Sequence, residues 1–121
     1  MANAAKNPVV HFEVLGQDAS ALRRFYSDAF GWSLGATDDG PMEYTMVNIK
    51  DRGGIDGGIG KAPQGPGHAT FDVGVDDAQA ALDQVERLGG KTVLPPTQIP
   101  GGATFAYFAD PEGHVVGLIA G

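Results

Sequence analysis

The chain has 121 residues, 42% of them hydrophobic, and a formal net charge of −7 from 15 acidic against 8 Lys and Arg residues. That length suits one domain with an ordinary core, and the acidic balance argues against binding to nucleic-acid backbones or to anionic membranes. The absence of cysteine excludes disulfides, thiolate nucleophiles, cysteine-bound zinc and iron–sulfur clusters, and no stretch has the length of a signal peptide or a bilayer span, so a soluble, cytoplasmic protein is the expectation.

In chain order, the first signal is the segment VVHFEVL at residues 9–15. Val10, Phe12 and Val14 fall on one face of a strand, and His11, Glu13 and Leu15 on the other, because successive strand side chains point to opposite sides. Residues 18–30 follow with a helical signature: Asp18 as N-cap, an apolar stripe of Leu22, Phe25, Ala29 and Phe30, and Gly31 as the stop. Phe25, Phe30 and Trp32 are expected in the core. Three further strands are expected at residues 32–36, 44–49 and 55–60.

The same order then recurs. Residues 68–75, HATFDVGV, alternate Ala69, Phe71, Val73 and Val75 with His68, Thr70, Asp72 and Gly74. A helix is expected over residues 76–88, capped by Asp76 or Asp77, striped by Ala78, Ala81, Leu82, Val85 and Leu88, and ended by Gly89 and Gly90. Strands are expected at 91–94, 104–108 and 114–119. Pro95-Pro96 and Pro100-Gly101-Gly102 bracket a loop that could rim a cavity. The chain therefore divides into module one at about 8–60, a linker at 61–67 and module two at about 68–120. A repeat of this size implies pseudo-symmetric halves sharing one core.

Several motifs in this order are similar to those of the vicinal oxygen chelate superfamily, the glyoxalase, bleomycin-resistance and extradiol-dioxygenase group. They are Phe25-Tyr26 with Phe30-Gly31-Trp32, Val75-Asp76-Asp77 with Leu88-Gly89-Gly90-Lys91, and Asp110-Pro111-Glu112-Gly113. Together they span nearly the whole chain. The resemblance implies an α+β fold of two βαβββ modules, forming a curved mixed sheet around a cavity with the helices outside. Each motif also has a plain structural reading: Asp-Pro-Glu-Gly makes a type I turn, and Leu88-Gly89-Gly90 ends a helix.

If the apolar strand faces rest on the helices, the opposite faces line a site. His11 and Glu13 then look inward from one module, and His68, Thr70 and Asp72 from the other. Imidazoles and carboxylates that converge can bind a metal or move protons. The resemblance implies a divalent metal (Zn, Ni, Fe or Mn), or no cofactor at all. It places a metal ligand at His11 and a second at His68 or Thr70, depending on the anchor used. Metal-binding relatives carry a glutamate shortly after the DPEG turn, where this chain has Gly117. In the fourth strand only Asp56 could coordinate. Without the glutamate, a glyoxalase-type isomerisation lacks a ligand and its proton-moving base; Glu13 or Asp72 could substitute as catalytic groups. Trp32, Tyr44, Met46, Thr70, Phe105 and Tyr107 are the expected ligand-binding residues; alternation lets Phe105 and Tyr107, or else Phe108, face the cavity.

The glycine run from Gly53 to Gly60 is not a phosphate loop, since Lys61 is followed by Ala62 and no GxGxxG spacing occurs. It is expected to be a flexible hairpin and a strand that lets a ligand or neighbouring strand come close. His114 is expected at the surface. The leading functional expectation is a small-molecule-binding protein with a degenerate metal site, of resistance or metabolite-binding type. The alternatives are a metal-dependent lyase, isomerase or dioxygenase, and a partner-binding domain without a ligand. The family resemblance also allows a homodimer.

Overall fold

The computed structural model describes residues 7–63, 65–99 and 101–121. The expected N-terminal segment is described only from Asn7, and Gln64 of the linker and Pro100 of the loop lie outside the described residues. The elements run β1 (Val9–Gly16), α1 (Ala19–Phe30), β2 (Leu34–Thr37), β3 (Thr45–Val47), a 3₁₀ turn (Lys50–Arg52), β4 (Gly57–Lys61), β5 (Gly67–Val75), α2 (Ala78–Arg87), β6 (Lys91–Gln98), β7 (Thr104–Ala109) and β8 (Val115–Ala120). This is βαβββ twice over, an α+β fold.

The chain forms two compact units, one of residues 11–70 and one that joins the N-terminal segment through Val10 to residues 71–121. In the first, the strands lie in the order β2-β3-β4-β1, with β1 and β4 parallel and β3 antiparallel to its neighbours. In the second the order is β5-β8-β7-β6, with β5 and β8 parallel and β7 antiparallel to both its neighbours. Each unit therefore closes its first strand against its last, which is how an intervening helix can cover one face.

Both helices begin at an aspartate that satisfies an orphan N–H of the first turn. Asp18 accepts from the Ala21 N–H at 3.0 Å, and Asp77, not Asp76, accepts from the Ala80 N–H at 3.1 Å. In the unit of residues 11–70, α1 covers the face of β1 that carries Phe12, Val14 and Gly16, since a side chain at Gly16 would run into Leu22. Val47 and Ile59 on the same face are fully buried. In the other unit Ala78 and Leu82 of α2 pack on Ala106, Leu118 and Ala120, with Val73, Val75 and Phe108 beside them.

Several expectations are corrected. Phe25 and Phe30 are not core residues: they are 60% and 66% exposed. They lie along the outside of α1 beside Tyr26, Phe25 edge-on to it and Phe30 stacked on it, and Tyr26 lies flat on Trp32 at 5.0 Å between ring centres. Of the apolar stripe, Leu22 meets β1 at Gly16, while Phe25 and Phe30 remain exposed. Pro95 and Pro96 are not in a loop; β6 runs on through them to Gln98. They are tolerated because β6 is an edge strand, where a missing N–H breaks no inner ladder. Phe108 faces α2, not the open side. Finally, Glu13 and Leu15 are more deeply buried than Val10, which is 41% exposed, so burial does not follow polarity along β1.

Candidate functional site

The face of each unit turned away from its helix carries most of the candidate residues; Trp32 is corrected, since its ring rests on Phe12 and on Tyr26 of α1, on the helix side. In the unit of residues 11–70 the register pairs Glu13 with Gly58, and Gly58 with Met46. His11, Glu13, Gly58 and Met46 thus share one side of the sheet by pleat parity. Glycines make this side possible. A Cβ on Gly58 would fall inside the Tyr44 ring, and one on Gly60 would lie 2.8 Å from Tyr44 Cδ1. On the opposite side, a Cβ on Gly57 would fall inside the Phe12 ring, which in turn rests 5.2 Å from Trp32. Three of the five residues of β4 are glycine, with the Tyr44 ring against Gly58 and Gly60 on one face and the Phe12 ring against Gly57 on the other.

Tyr44 is delivered by a turn in which Glu43 adopts a left-handed φ of 47°, its N–H bonded to the Gly40 carbonyl at 3.0 Å. The phenol then reaches His11: its hydroxyl lies 3.0 Å from His11 Nε2, and the two rings are nearly parallel, 6.4 Å apart. Burial pushes the His11 pKa below its ordinary value, against the opposing pull of the nearby Glu13 and Asp56 carboxylates. The imidazole is therefore neutral at pH 7, able to offer one donor and one acceptor. Glu13 is only 6% exposed.

Asp56 has a local task. Its Oδ1 accepts the Ile49 and Lys50 N–H groups, each at 2.9 Å, and caps the 3₁₀ turn. The Lys50 and Ile49 backbone bonds, aided by the Lys50 charge, outweigh burial and lower its pKa. Asp110 does the same for the DPEG turn, accepting the Glu112 and His114 N–H groups at 2.9 and 3.0 Å. Its pKa is lowered, chiefly by the His114 N–H. His114 is exposed and sits 2.9 Å from Asp110.

In the other unit the register pairs Asp72 with Gly117, and Gly117 with Tyr107. Asp72 is 1% exposed. A Cβ on Gly117 would collide with Asp72 Oδ1 and come within 3.3 Å of Tyr107 Cε1. Phe105 lies on the same side as Tyr107 by parity, with the two rings 6.1 Å apart edge to face. Glu13 with Gly58 and Asp72 with Gly117 are thus one feature repeated. By position the counterpart of His11 is Thr70. His68 stands two residues earlier, exposed, at a hollow of about 520 Å³ by the start of α1 that Leu22, Phe25 and Gly67 also line.

Sequence reasoning named the glycine run and the acids separately but missed that each acid is paired with a glycine. The available signal was the equal spacing, 13 to 72 and 58 to 117. The pairing of Tyr44 with His11 had no sequence signal.

The residues present do not fit the divalent metal that the superfamily resemblance implies. His11 Nε2 is engaged by Tyr44, one oxygen of Asp56 is committed to two backbone N–H groups, and the space of a side chain at residue 117 is filled by Asp72. Among the described residues no three His, Asp or Glu side chains gather as a donor set.

Two βαβββ units, each with an acid beside a bared glycine on the helix-free face, define a duplicated α+β protein of the vicinal oxygen chelate type. Residues 11–119 match the family model for the glyoxalase-like domain, and the chain belongs to that family. It is 31% identical over 112 residues to CFP32 of Mycobacterium tuberculosis, an alignment covering 84% of this chain and 41% of that protein. It therefore spans about two fifths of that relative. A glyoxylase-like domain-containing protein of Didymella fabae is 31% identical over 108 residues, with 84% of each chain covered. Among solved structures, methylmalonyl-CoA epimerase from Mycobacterium tuberculosis superposes with a TM-score of 0.73 at 14% identity, covering 99% of this chain and 92% of that one. No helix among the described residues is long and apolar enough to cross a membrane.

Proposed function

We propose that this chain binds a small molecule and has lost the metal chemistry of its superfamily. The observation that carries the reading is the filling of residue 117's space by Asp72. A glutamate there would be sterically refused, so the metal-binding arrangement of relatives is blocked as well as incomplete. The helix-free face of residues 11–70 retains what a small-ligand site needs, in the Tyr44 ring, the thioether of Met46 and the imidazole of His11, and the other unit carries Phe105 and Tyr107 on its own helix-free face. The glyoxalase-like family and the fold shared with an enzyme of CoA esters are consistent with a small-molecule ligand.

Elemental analysis of the purified protein tests this directly. The expected result is no stoichiometric Fe, Zn, Ni or Mn, together with a rise in melting temperature with a neutral aromatic compound from a ligand screen. Stoichiometric metal that disappears in a His11→Ala variant would overturn the proposal in favour of a metal-dependent lyase, isomerase or dioxygenase using His11, His68 and Glu13 or Asp72.

A further inference from the structure

We propose that the hollow beside the start of α1 is a small-molecule site separate from the helix-free faces, and that it takes an ammonium group carried on an aromatic ring. Every residue that lines it belongs to the unit of residues 11–70, and His11, Tyr44 and Met46 are not among them. The inference therefore goes beyond the reading above and does not depend on it.

One wall of the hollow is a helix face. Asp18, Ala21, Leu22 and Phe25 all line it, and they stand at i, i+3, i+4 and i+7, the spacing that gathers side chains on one side of a helix. Leu22 meets β1 at Gly16, while Phe25 keeps 60% of its surface exposed at the hollow. The facing wall is Pro66, Gly67 and His68, with the His68 imidazole exposed at the rim.

The facing wall is held in place without a ligand. Gly67 has a left-handed φ of 93°, and a Cβ there would strike the Leu15 carbonyl, so glycine is what lets this segment lie against β1. The Gln17 side chain donates to the Gly65 carbonyl at 3.3 Å and ties the segment to the residue before the helix cap. Between them the walls leave about 520 Å³, a size usual for small-ligand sites, with Val14 and Leu15 adding apolar surface.

The charge of the lining selects the ligand. Asp18 is the one Asp, Glu, Lys or Arg residue among the lining side chains. Its Oδ1 accepts the Ala21 N–H at 3.0 Å, and a carboxylate with two oxygens has capacity beyond one such bond. The start of α1 carries about half a positive charge, which the full carboxylate charge outweighs. The cations nearest in sequence are turned to other partners, Arg23 to the Glu43 carbonyl at 3.5 Å and Arg24 to the Ser20 hydroxyl at 2.9 Å. Lys61, opposite Gly16 in the register, is exposed and outside the lining, where solvent screens it. An ammonium group can thus meet Asp18 while its ring lies against Phe25 and Leu22, and the exposed Phe25 ring itself attracts a cation over its face. A ligand carboxylate would meet only the like charge of Asp18.

Three probes with a common ring test the site: 2-naphthylmethylammonium, 2-naphthylmethanol and 2-naphthoate, titrated against the intact chain at pH 7 and low ionic strength. Binding is followed in NMR spectra by the ring protons of Phe25 and His68, with those of His11 as the control. The ammonium is expected to bind about fivefold more tightly than the alcohol, and naphthoate more weakly than either. Asp18→Asn keeps a capping oxygen and should bring the ammonium and the alcohol to within about twofold of each other. Phe25→Ala, at an exposed position, should leave the melting temperature nearly unchanged and weaken both by about threefold or more. Naphthoate binding as tightly as the ammonium, a preference that survives Asp18→Asn, or no binding by any probe overturns the proposal. So does binding that moves the His11 resonances and leaves those of Phe25 and His68 in place, which would put the probe on the helix-free face and support the binding function there.

Discussion

In the unit of residues 11–70, the space above Gly58 is taken by the Tyr44 ring, which enters where a turn leads into the neighbouring strand β3. In the other unit, the space above Gly117 is taken by the carboxylate of its own strand partner, Asp72, with Tyr107 closing the other side. The two positions are equivalent in register, and both are glycine for want of room. They differ in what would have to move. Tyr44 stands between a turn with a left-handed residue at Glu43 and the start of β3. Asp72 is fixed in the middle of a nine-residue strand and is almost wholly buried. The comparison teaches that the same glycine position is filled in two ways, by an aromatic ring in one unit and by a buried acid in the other.

The largest expected effect comes from closing the rigid vacancy. Gly117→Ala should destabilise the protein by about 3 kcal/mol, the upper range for overpacking a closed site, measured by urea unfolding. Adding Asp72→Ala to that variant should recover part of the loss. A Gly117→Ala protein as stable as the parent would show that Asp72 yields easily, and the contrast between the units would fail.

Gly58→Ala should cost less, about 2 kcal/mol or under, because Tyr44 lies at the end of a turn and not inside a strand. The same variant should break the bond to His11 and move its ring resonances. A cost equal to that of Gly117→Ala would mean that Tyr44 is held as tightly as Asp72.

The helix caps provide the control, since here the units are alike. Asp18→Ala and Asp77→Ala should each cost about 1 kcal/mol by the same measurement. A marked inequality between them would show that the two helices contribute differently to their units despite equal capping.

The smallest effect is a pH dependence confined to one unit. The His11 pKa is lowered in the folded state, so the unfolded chain takes up a proton first as pH falls. Its contribution is fully present above the ordinary histidine value of about 6.5 and is lost as pH falls through that value towards the folded pKa. Asp56 and Asp110, also lowered, contribute above the ordinary aspartate range and lose that contribution only as pH falls below it. Melting temperature followed from pH 8 to pH 4 should therefore show a first decline beginning near neutrality. His11→Gln should remove that decline and leave the more acidic one.

Much of the fold was legible because it rests on local rules. The Asp18 cap, the alternation of β1 and β5 and the order of elements within each repeat follow from spacing alone, whereas spacing left the second cap at Asp76 or Asp77. The buried faces were less legible. Alternation assigned Glu13 to the side away from the helix, correctly, yet it could not say that this side is also buried at Glu13. The aromatic residues of α1 read as core because a stripe records only that apolar residues share a side. It does not record how much sheet lies beneath them.

By itself the sequence determined that the chain is duplicated, that it is α+β, and which residues share a strand face, because these depend on periods of two and 3.6 along one segment. Only the tertiary structure decided which side chain occupies the room a glycine leaves. Gly58 and Gly117 read alike in one dimension; their fillers come from a turn and from a paired strand distant in the chain. Strand register, set by packing of the whole unit, is what brings them there.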